Sequence, residues 1–421
     1  MTGAASVSVV IVSRDRPEAL RRCLIGVGQM TYGQFEVVVV ADHASCIALR
    51  TLPQAAHVKL VEFAEANLSA ARNAGIAAAA GEIVAFIDDD AVPEPTWLTY
   101  LAAPFADPAV MAAGGFVRGR NGISWQSRAR AVDREGRKTP LEVPPNRAVL
   151  PEPGPGRAVK TEGTNMAVRR ACLAALGGFD PRYRFFLDET DLNLRLMAAG
   201  HRTAIAPLAE VHHGFAASDR RRHDRAPTDL RQIGASWAVF LALHCPEDRQ
   251  GAAWARIQAD ERRRALRHMV AGRLEPRDVK RLLRGLREGF AEGADRTQPP
   301  RPQLSGPSQP FRPYPSRRGA RPVLIAGRLW SRARQRRHAR HEVAAGNVVT
   351  VMRFSHTGLF HRVAFSPEGY WEHIGGLFGR SERGQRLFRI STFAGRVHAE
   401  ADRVRLVRGL DESVGIKRGL L

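Results

Sequence analysis

Three β-branched runs, each ending in polar or acidic residues and each followed by a helix-patterned stretch, constrain this 421-residue chain more than any other feature. Residues 7–12 read as a buried strand, 17–26 as a helix, 35–40 as a second strand, 64–80 as an alanine-rich helix and 83–87 as a third strand. Strand–helix–strand repetition predicts an α/β fold, a mostly parallel sheet with helices on both faces. Ligands of such sheets sit beyond the carboxyl ends of the strands. Ser13, Asp15, Asp42 and the run Asp88, Asp89, Asp90 all fall at those ends, so three strands aim polar groups at one edge.

The rest of the chain divides by composition. Residues 116–160 read as a basic, loop-rich cover, and 161–214 return to order with a helix closed by Gly200 and a strand at 203–206. Residues 226–296 read as a basic helical extension. Within it Pro276, Val279, Leu282, Leu283, Leu286 and Phe290 trace one apolar stripe. Eight prolines among Arg, Ser and Gly make 297–322 a linker, and 323–421 reads as a small basic α+β unit. Charge follows the same division. Residues 1–215 hold 23 Lys+Arg against 22 Asp+Glu, whereas 216–421 hold 41 against 20, so nearly all of the net charge of +22 lies in the second half. An anionic partner is the physical reading of so uneven a distribution.

Several classes are excluded or disfavoured. No apolar run reaches the roughly 18–20 residues of a membrane span, and no leader-like segment opens the sequence. The four cysteines form no C-x-x-C pair, which fits a reducing compartment and speaks against a zinc ribbon. A cytoplasmic protein is expected. No zinc-finger, RNA-recognition or helix-turn-helix signature accompanies the basic half, so nucleic acid is an unfavoured partner.

Three adjacent carboxylates repel one another unless a cation sits among them. Oxygen ligands suit Mg²⁺ or Mn²⁺, hard ions that commonly bridge to phosphate oxygens. A solvated acidic turn is the plain alternative.

At this point the sequence resembles glycosyltransferase family 2. The likeness is carried by Val7-Ser-Val-Val-Ile-Val-Ser-Arg-Asp-Arg-Pro17, Phe35 to Asp42, Ala66-Asn-Leu-Ser-Ala-Ala-Arg-Asn-Ala-Gly75 and Phe86-Ile-Asp-Asp-Asp-Ala-Val-Pro93. It continues through Gly163-Thr-Asn-Met, Gly177-Gly-Phe-Asp180, Asp188-Glu-Thr-Asp-Leu-Asn-Leu-Arg195 and Ala209-Glu-Val-His-His213, covering about residues 5–215. The resemblance implies a GT-A type (Rossmann-like) catalytic domain over 1–225 and inverting, metal-dependent transfer of a sugar from a nucleotide-diphosphate sugar to a hydroxyl acceptor. A glycan or lipid-linked acceptor of cell-surface polysaccharide or glycolipid synthesis is the implied partner.

Matched position by position, Ser13, Asp15, Asp42, Arg72 and Asp88 would bind the donor nucleotide. Asp88 and Asp90 would be the D-x-D carboxylates, with His212 a further metal ligand, and Gly163 and Asn165 would line the sugar or acceptor pocket. The family usually reads Glu-Asp where this chain reads Asp188-Glu189, which puts the base on Glu189, with Asp191 and Asp188 as alternatives. Asp188 also suits the N-cap of a helix over 189–199, with Asp191 as its capping-box partner. A sugar-phosphate nucleotidyltransferase and a non-catalytic sugar-nucleotide or glycan binder are the competing readings. The basic helix at 276–290 is compatible with lying on an anionic membrane, or with packing on the catalytic domain with its arginines in solvent.

Overall fold

A computed structural model describes residues 4–214, 218–297, 304, 306–382 and 384–410; parts of the expected linker and the end of the expected terminal unit lie outside these. The first half runs β1 (Val7–Ser13), α1 (Pro17–Val27), β2 (Phe35–Ala41), α2 (His43–Arg50), β3 (Val58–Glu62), α3 (Leu68–Ala78), β4 (Ile83–Asp88), β5 (Ala91–Pro93) and α4 (Trp97–Ala102). It continues with β6 (Val110–Arg118), β7 (Trp125–Ser127), β8 (Arg130–Asp133), β9 (Lys138–Pro140), β10 (Arg157–Lys160), β11 (Met166–Arg169), α5 (Arg170–Leu176), α6 (Asp188–Ala198) and β12 (Arg202–His213).

The main sheet has the order β3-β2-β1-β4-β11-β6-β12-β5, with β7 added beside β6. Its β3-β2-β1-β4 part is parallel, β11 is antiparallel to both neighbours, and β12 pairs parallel with β6. Both faces are covered, which is why β1 and β2 are unbroken β-branched runs and do not alternate with polar residues. Val9, Ile11, Val37 and Val39 join the layer under α1, while Val10, Val38 and Val40 join the layer under α3 and α6. Helix starts are chemically marked: Pro17 opens α1, Asp42 caps α2 and Asn67 caps α3.

The cover expected over 116–160 contains a second, antiparallel sheet of order β10-β8-β9. Next come α7 (Arg231–His244), α8 (Glu247–Val270) and α9 (Pro276–Ala294). The apolar stripe of α9 is not free to meet a membrane. Val279, Leu282 and Leu286 are buried with Leu230 and Ala265, and Phe290 stacks on Trp254 at 3.9 Å. A Cβ on Gly289 would lie 1.9 Å from the Arg231 carbonyl, so α7 and α9 touch backbone to backbone. The membrane reading of this stripe is thereby corrected to packing within the helical extension, against α7 and α8.

The proline-rich stretch is also not a loose linker where it is described. Its backbone pairs with the first sheet, Tyr314 N–H donating to the Phe35 carbonyl at 2.8 Å and Arg312 N–H to Glu36 at 2.8 Å. The Tyr314 ring is buried against Phe35. The chain then forms β13 (Pro322–Gly327), α10 (Arg332–Ala344), β14 (Val348–Ser355), β15 (Arg362–Phe365), β16 (Trp371–Gly376) and α11 (Phe393–Arg408). These make a sheet of order β13-β14-β16-β15 whose first three strands are parallel.

This terminal unit docks through a buried ion pair. Arg408 grips Glu94 with two bonds, Nε to Oε2 at 2.8 Å and NH2 to Oε1 at 2.9 Å, and both side chains are buried. Burial pushes the Glu94 carboxyl up, but Arg408 and His212 overcome it and hold it down at about 2. Removing one partner of such a pair strands a buried charge, at a cost of about 3–5 kcal/mol, whereas replacing both with apolar groups is far milder. Arg408→Met is therefore expected to lower the urea-unfolding free energy by roughly that 3–5 kcal/mol. Glu94→Met combined with Arg408→Met should recover most of the loss, and a double variant as unstable as the single one would contradict this account.

Candidate active site

The carboxyl ends of β1 and β4, the start of α3 and the chain after β12 enclose a cavity of about 500 Å³. Ser13, Asp15, Asp88 and Asp90 line it, together with Arg184, Arg220 and Arg264. Asp88 is the open member of the acidic run. Asp89 is fully buried, accepting from Ser13 Oγ at 2.8 Å and pairing with Arg16 at 2.7 Å. Burial pushes the Asp89 carboxyl up to about 7 against the pull of Arg16.

The structure moves the histidine assignment by one residue. Because β12 pairs antiparallel with β5, His212 opposite Val92 and His213 opposite Ala91, the two side chains leave opposite faces of the sheet. His213 Nε2 lies 3.0 Å from Asp90 and 3.8 Å from Asp88. Its Nδ1 faces Gln126 Oε1 at 2.9 Å; that oxygen only accepts, so Nδ1 carries the proton and Nε2 is turned to the carboxylates. Burial opposes charge on His213, and Asp90 with Asp88 outweighs it, leaving the pKa raised. His212 instead bonds Glu94 at 2.8 Å and packs on the Trp371 ring of the terminal unit. The structure takes His212 away from the expected set with Asp88 and Asp90 and places His213 beside them, the three offering ligand atoms that all lie within 4.8 Å of one another. Two carboxylate oxygens and one imidazole nitrogen suit Mg²⁺ or Mn²⁺, Mn²⁺ the better for tolerating nitrogen.

In a second group of the same residue types, His361, His373 and Glu400, the two histidines bond each other and Glu400 accepts from Ser381 Oγ. Arg408 NH1 is 2.7 Å from His373 Nε2 and can only donate, so His373 Nδ1 holds the proton that it gives to His361 Nε2 at 2.9 Å. Burial lowers both imidazole pKa values, to about 4 for His361.

Other expected site residues take different places. Asp42 does not line the cavity; its carboxylate caps α2 through Ser45 and accepts the Asp15 N–H at 2.8 Å, fixing Asp15 at φ 57°. Arg72 lies beneath the cavity, buried, bonded to Asp188, donating to the Gly163 carbonyl at 3.2 Å and reaching Asp88 at 3.5 Å. It acts on the carboxylates and is not placed to grip a nucleotide. Gly163 has no room for a Cβ, which would stand 2.5 Å from the Arg72 guanidinium.

Among the acidic residues of α6, the capping reading fails. The helix begins at Asp188, its N-cap is Leu187 at φ 68°, and no side chain caps it. Asp188 is buried on Arg72, and Asp191 has both oxygens engaged, by Arg195 and His244 at 2.8 Å each. Glu189 also stands outside the cavity lining; it keeps partial exposure and bonds Lys160 Nζ at 2.8 Å. Burial pushes the Glu189 carboxyl up, yet Lys160, helped by Lys138 and Arg72, holds it well below the carboxylate range. Sequence reasoning missed Lys160, Gln126 and Arg16, since each is identified only by the long-range partner it meets.

Asn165 is corrected from a pocket residue to a structural one. It is fully buried, accepting from Trp97 Nε1 at 2.8 Å and donating to the carbonyls of Phe116 and Ala209 at 2.9 and 2.7 Å. Each buried group left unpaired costs about 1–3 kcal/mol, so Asn165→Ala is expected to destabilise the protein by roughly 3 kcal/mol or more. Denaturant melts and steady-state kinetics on the folded fraction check this; an unchanged melt with a raised KM would restore the pocket role.

Known proteins share this sequence in part. A pre-mycofactocin glycosyltransferase of Mycobacterium tuberculosis is 28% identical over 215 residues, 49% of this chain and 42% of the relative. The O-antigen biosynthesis protein RfbC of Myxococcus xanthus is 27% identical over 244 residues, 53% of this chain and 18% of the relative. The N-acetylglucosaminyl-diphospho-decaprenol L-rhamnosyltransferase of M. tuberculosis is 41% identical over 92 residues, 22% of this chain and 27% of the relative. The chain thus spans less than half the length of these curated relatives. A mannosyltransferase of Pyrobaculum calidifontis, solved with GDP-Man and Mn²⁺, superposes with a TM-score of 0.40 at 19% identity, covering 69% of this chain and 88% of that one. Over residues 4–228, more than half of its length, the sequence matches the family described as glycosyltransferase like family 2, and the chain belongs to that family.

Proposed function

We propose that this glycosyltransferase moves a sugar from a nucleoside-diphosphate donor to a hydroxyl acceptor by a single, inverting displacement that depends on a divalent cation. The observation carrying this reading is the convergence of Asp88, Asp90 and His213 at the wall of a cavity that also presents Arg184, Arg220 and Arg264. A glycan or lipid-linked acceptor belongs to the same reading, supported by the named activities of the relatives; a cytoplasmic site of action is proposed with it on the unpaired cysteines. No feature of the site favours the nucleotidyltransferase or the non-catalytic alternative.

The chain's own residues divide the work. A cation held by Asp88, Asp90 and His213 would supply Lewis-acid stabilisation of the departing diphosphate. Gln126 presents Nε2 of His213 to that position, an orienting contact of the kind that tunes metal sites. Arg16 offsets the charge of Asp89 and Asp90, and Arg72 ties Asp88 to Asp188. The cavity arginines lend positive potential where phosphates would lie. Glu189 takes the acceptor proton. A carboxylate held down by Lys160 is a weak base, so it receives the proton late, once the new C–O bond is well formed and the hydroxyl has become acidic.

Two outcomes follow. Because β12 sends only His213 to the carboxylates, His213→Ala should weaken Mn²⁺ binding at least about tenfold in calorimetry. His212→Ala should leave Mn²⁺ binding intact while lowering thermal stability; the reverse pattern would return the ligand role to His212. General-base removal typically costs 10²–10⁴ in rate, so Glu189→Gln should lower kcat by about that factor with an unchanged melt.

The pH dependence has a definite sign. A base with a depressed pKa stays ionised at every higher pH, so activity is lost only as pH falls through that low value. Glu189 should then contribute no limb to kcat/KM between about pH 5 and 8, and Lys160→Met should raise its acid limb toward the ordinary range near 4.3. An acid limb that does not move in Lys160→Met would remove Glu189 from the role.

A further inference from the structure

In the terminal unit the parallel strands β13, β14 and β16 all end at the same edge, and the loops leaving them expose a concentration of large apolar side chains. After β13 come Leu329 and Trp330, after β14 Leu359 and Phe360, and after β16 Leu387, Phe388 and Ile390. Trp330 is 76% exposed, Ile390 86% and Leu387 69%. The loops are in mutual contact. Phe388 lies on Phe378 at 5.2 Å and beside Gly358, Arg380 covers the Phe360 ring at 4.6 Å, and Arg328 covers Phe393 at 4.4 Å. Scattered exposed apolar residues need no explanation, but several gathered on one edge mark an interaction surface.

Charge decides among occupants. Arg328, Arg380, Arg386 and Arg389 stand in the same loops, Arg332 opens α10 beside them, and the single acidic residue among the loops' described positions, Glu382, is paired with Arg403. A second copy of so basic a surface would be repelled by like charge. A protruding set of Trp, Phe, Leu and Ile tips ringed by guanidinium groups matches an anionic bilayer: the aromatic and aliphatic tips enter the acyl boundary and the arginines meet the headgroups. We propose that this edge of the terminal unit docks the protein on anionic lipid. The α9 helix cannot serve, since its apolar stripe is buried. The inference stands apart from the catalytic reading, because it involves none of the cavity residues and its readout is binding.

The test is co-sedimentation of the full chain with vesicles of phosphatidylcholine alone and of phosphatidylcholine with phosphatidylglycerol. Binding is expected only to the anionic vesicles and should weaken with salt. Arg386→Gln with Arg389→Gln should weaken it about thirtyfold, the equivalent of roughly 1 kcal/mol for each arginine. Trp330→Ser with Ile390→Ser should weaken binding at any salt concentration. These four side chains are exposed, so thermal melts should match the parent and confirm folded variants. A parent chain that stays in the supernatant with anionic vesicles overturns the proposal. So does binding that survives Trp330→Ser with Ile390→Ser, since general positive charge would then suffice. Concentration-dependent dimerisation of the parent without vesicle binding, lost in that same variant, would assign the edge to a second copy instead.

Discussion

The structure depends on how it neutralises negative charge gathered at one sheet edge. Asp88, Asp89 and Asp90 end β4, and Asp188, Glu189 and Asp191 open α6 a short distance away, linked through Arg72. Carboxylates so close and so buried cannot all ionise without partners. Arg16, Arg72, Lys160, Arg195 and His244 supply fixed positive or donor groups to Asp89, Asp188, Glu189 and Asp191, four of the six. Asp88 and Asp90, reached at longer range by Arg72 and Arg16, turn to the cavity with a histidine, an arrangement with room for a mobile cation.

The same edge explains why the terminal unit docks where it does. β12 runs past the acidic turn and sends its side chains alternately to either face. His213 meets the carboxylates, while His212 meets Glu94, Arg408 and Trp371. A step of one residue therefore separates the cavity wall from a buried interface between the two halves. The proline-rich stretch completes that interface by running along β2 with Tyr314 as its anchor. The second half is thus a packed continuation of the catalytic half, and its positive charge is displayed on helix faces and on the loop edge of the small sheet.

What the sequence by itself determined is local or repeated in pattern. The unbroken β-branched runs could only be strands buried on both faces, so the parallel sheet was legible, and β1, β2 and β4 lie within a residue of their expected bounds. The acidic triplet announced the site through its placement after such a run, and the order of motifs announced the family. Glu189 stood out from its neighbours by alignment with the family pattern. Tertiary structure decided whatever depends on the partner a side chain meets. Period-two alternation in β12 chose His213 over His212, because pairing with β5, more than a hundred residues earlier, fixes which face each side chain takes. Asn165 became a hub of buried hydrogen bonds and Arg72 a bridge between carboxylates, because only folding brings Trp97 and Asp188 to them. The prolines of 297–322 suggested freedom, yet proline fixes φ and removes one backbone donor without preventing docking; apolar anchors such as Tyr314 turned 306–322 into a docked strap.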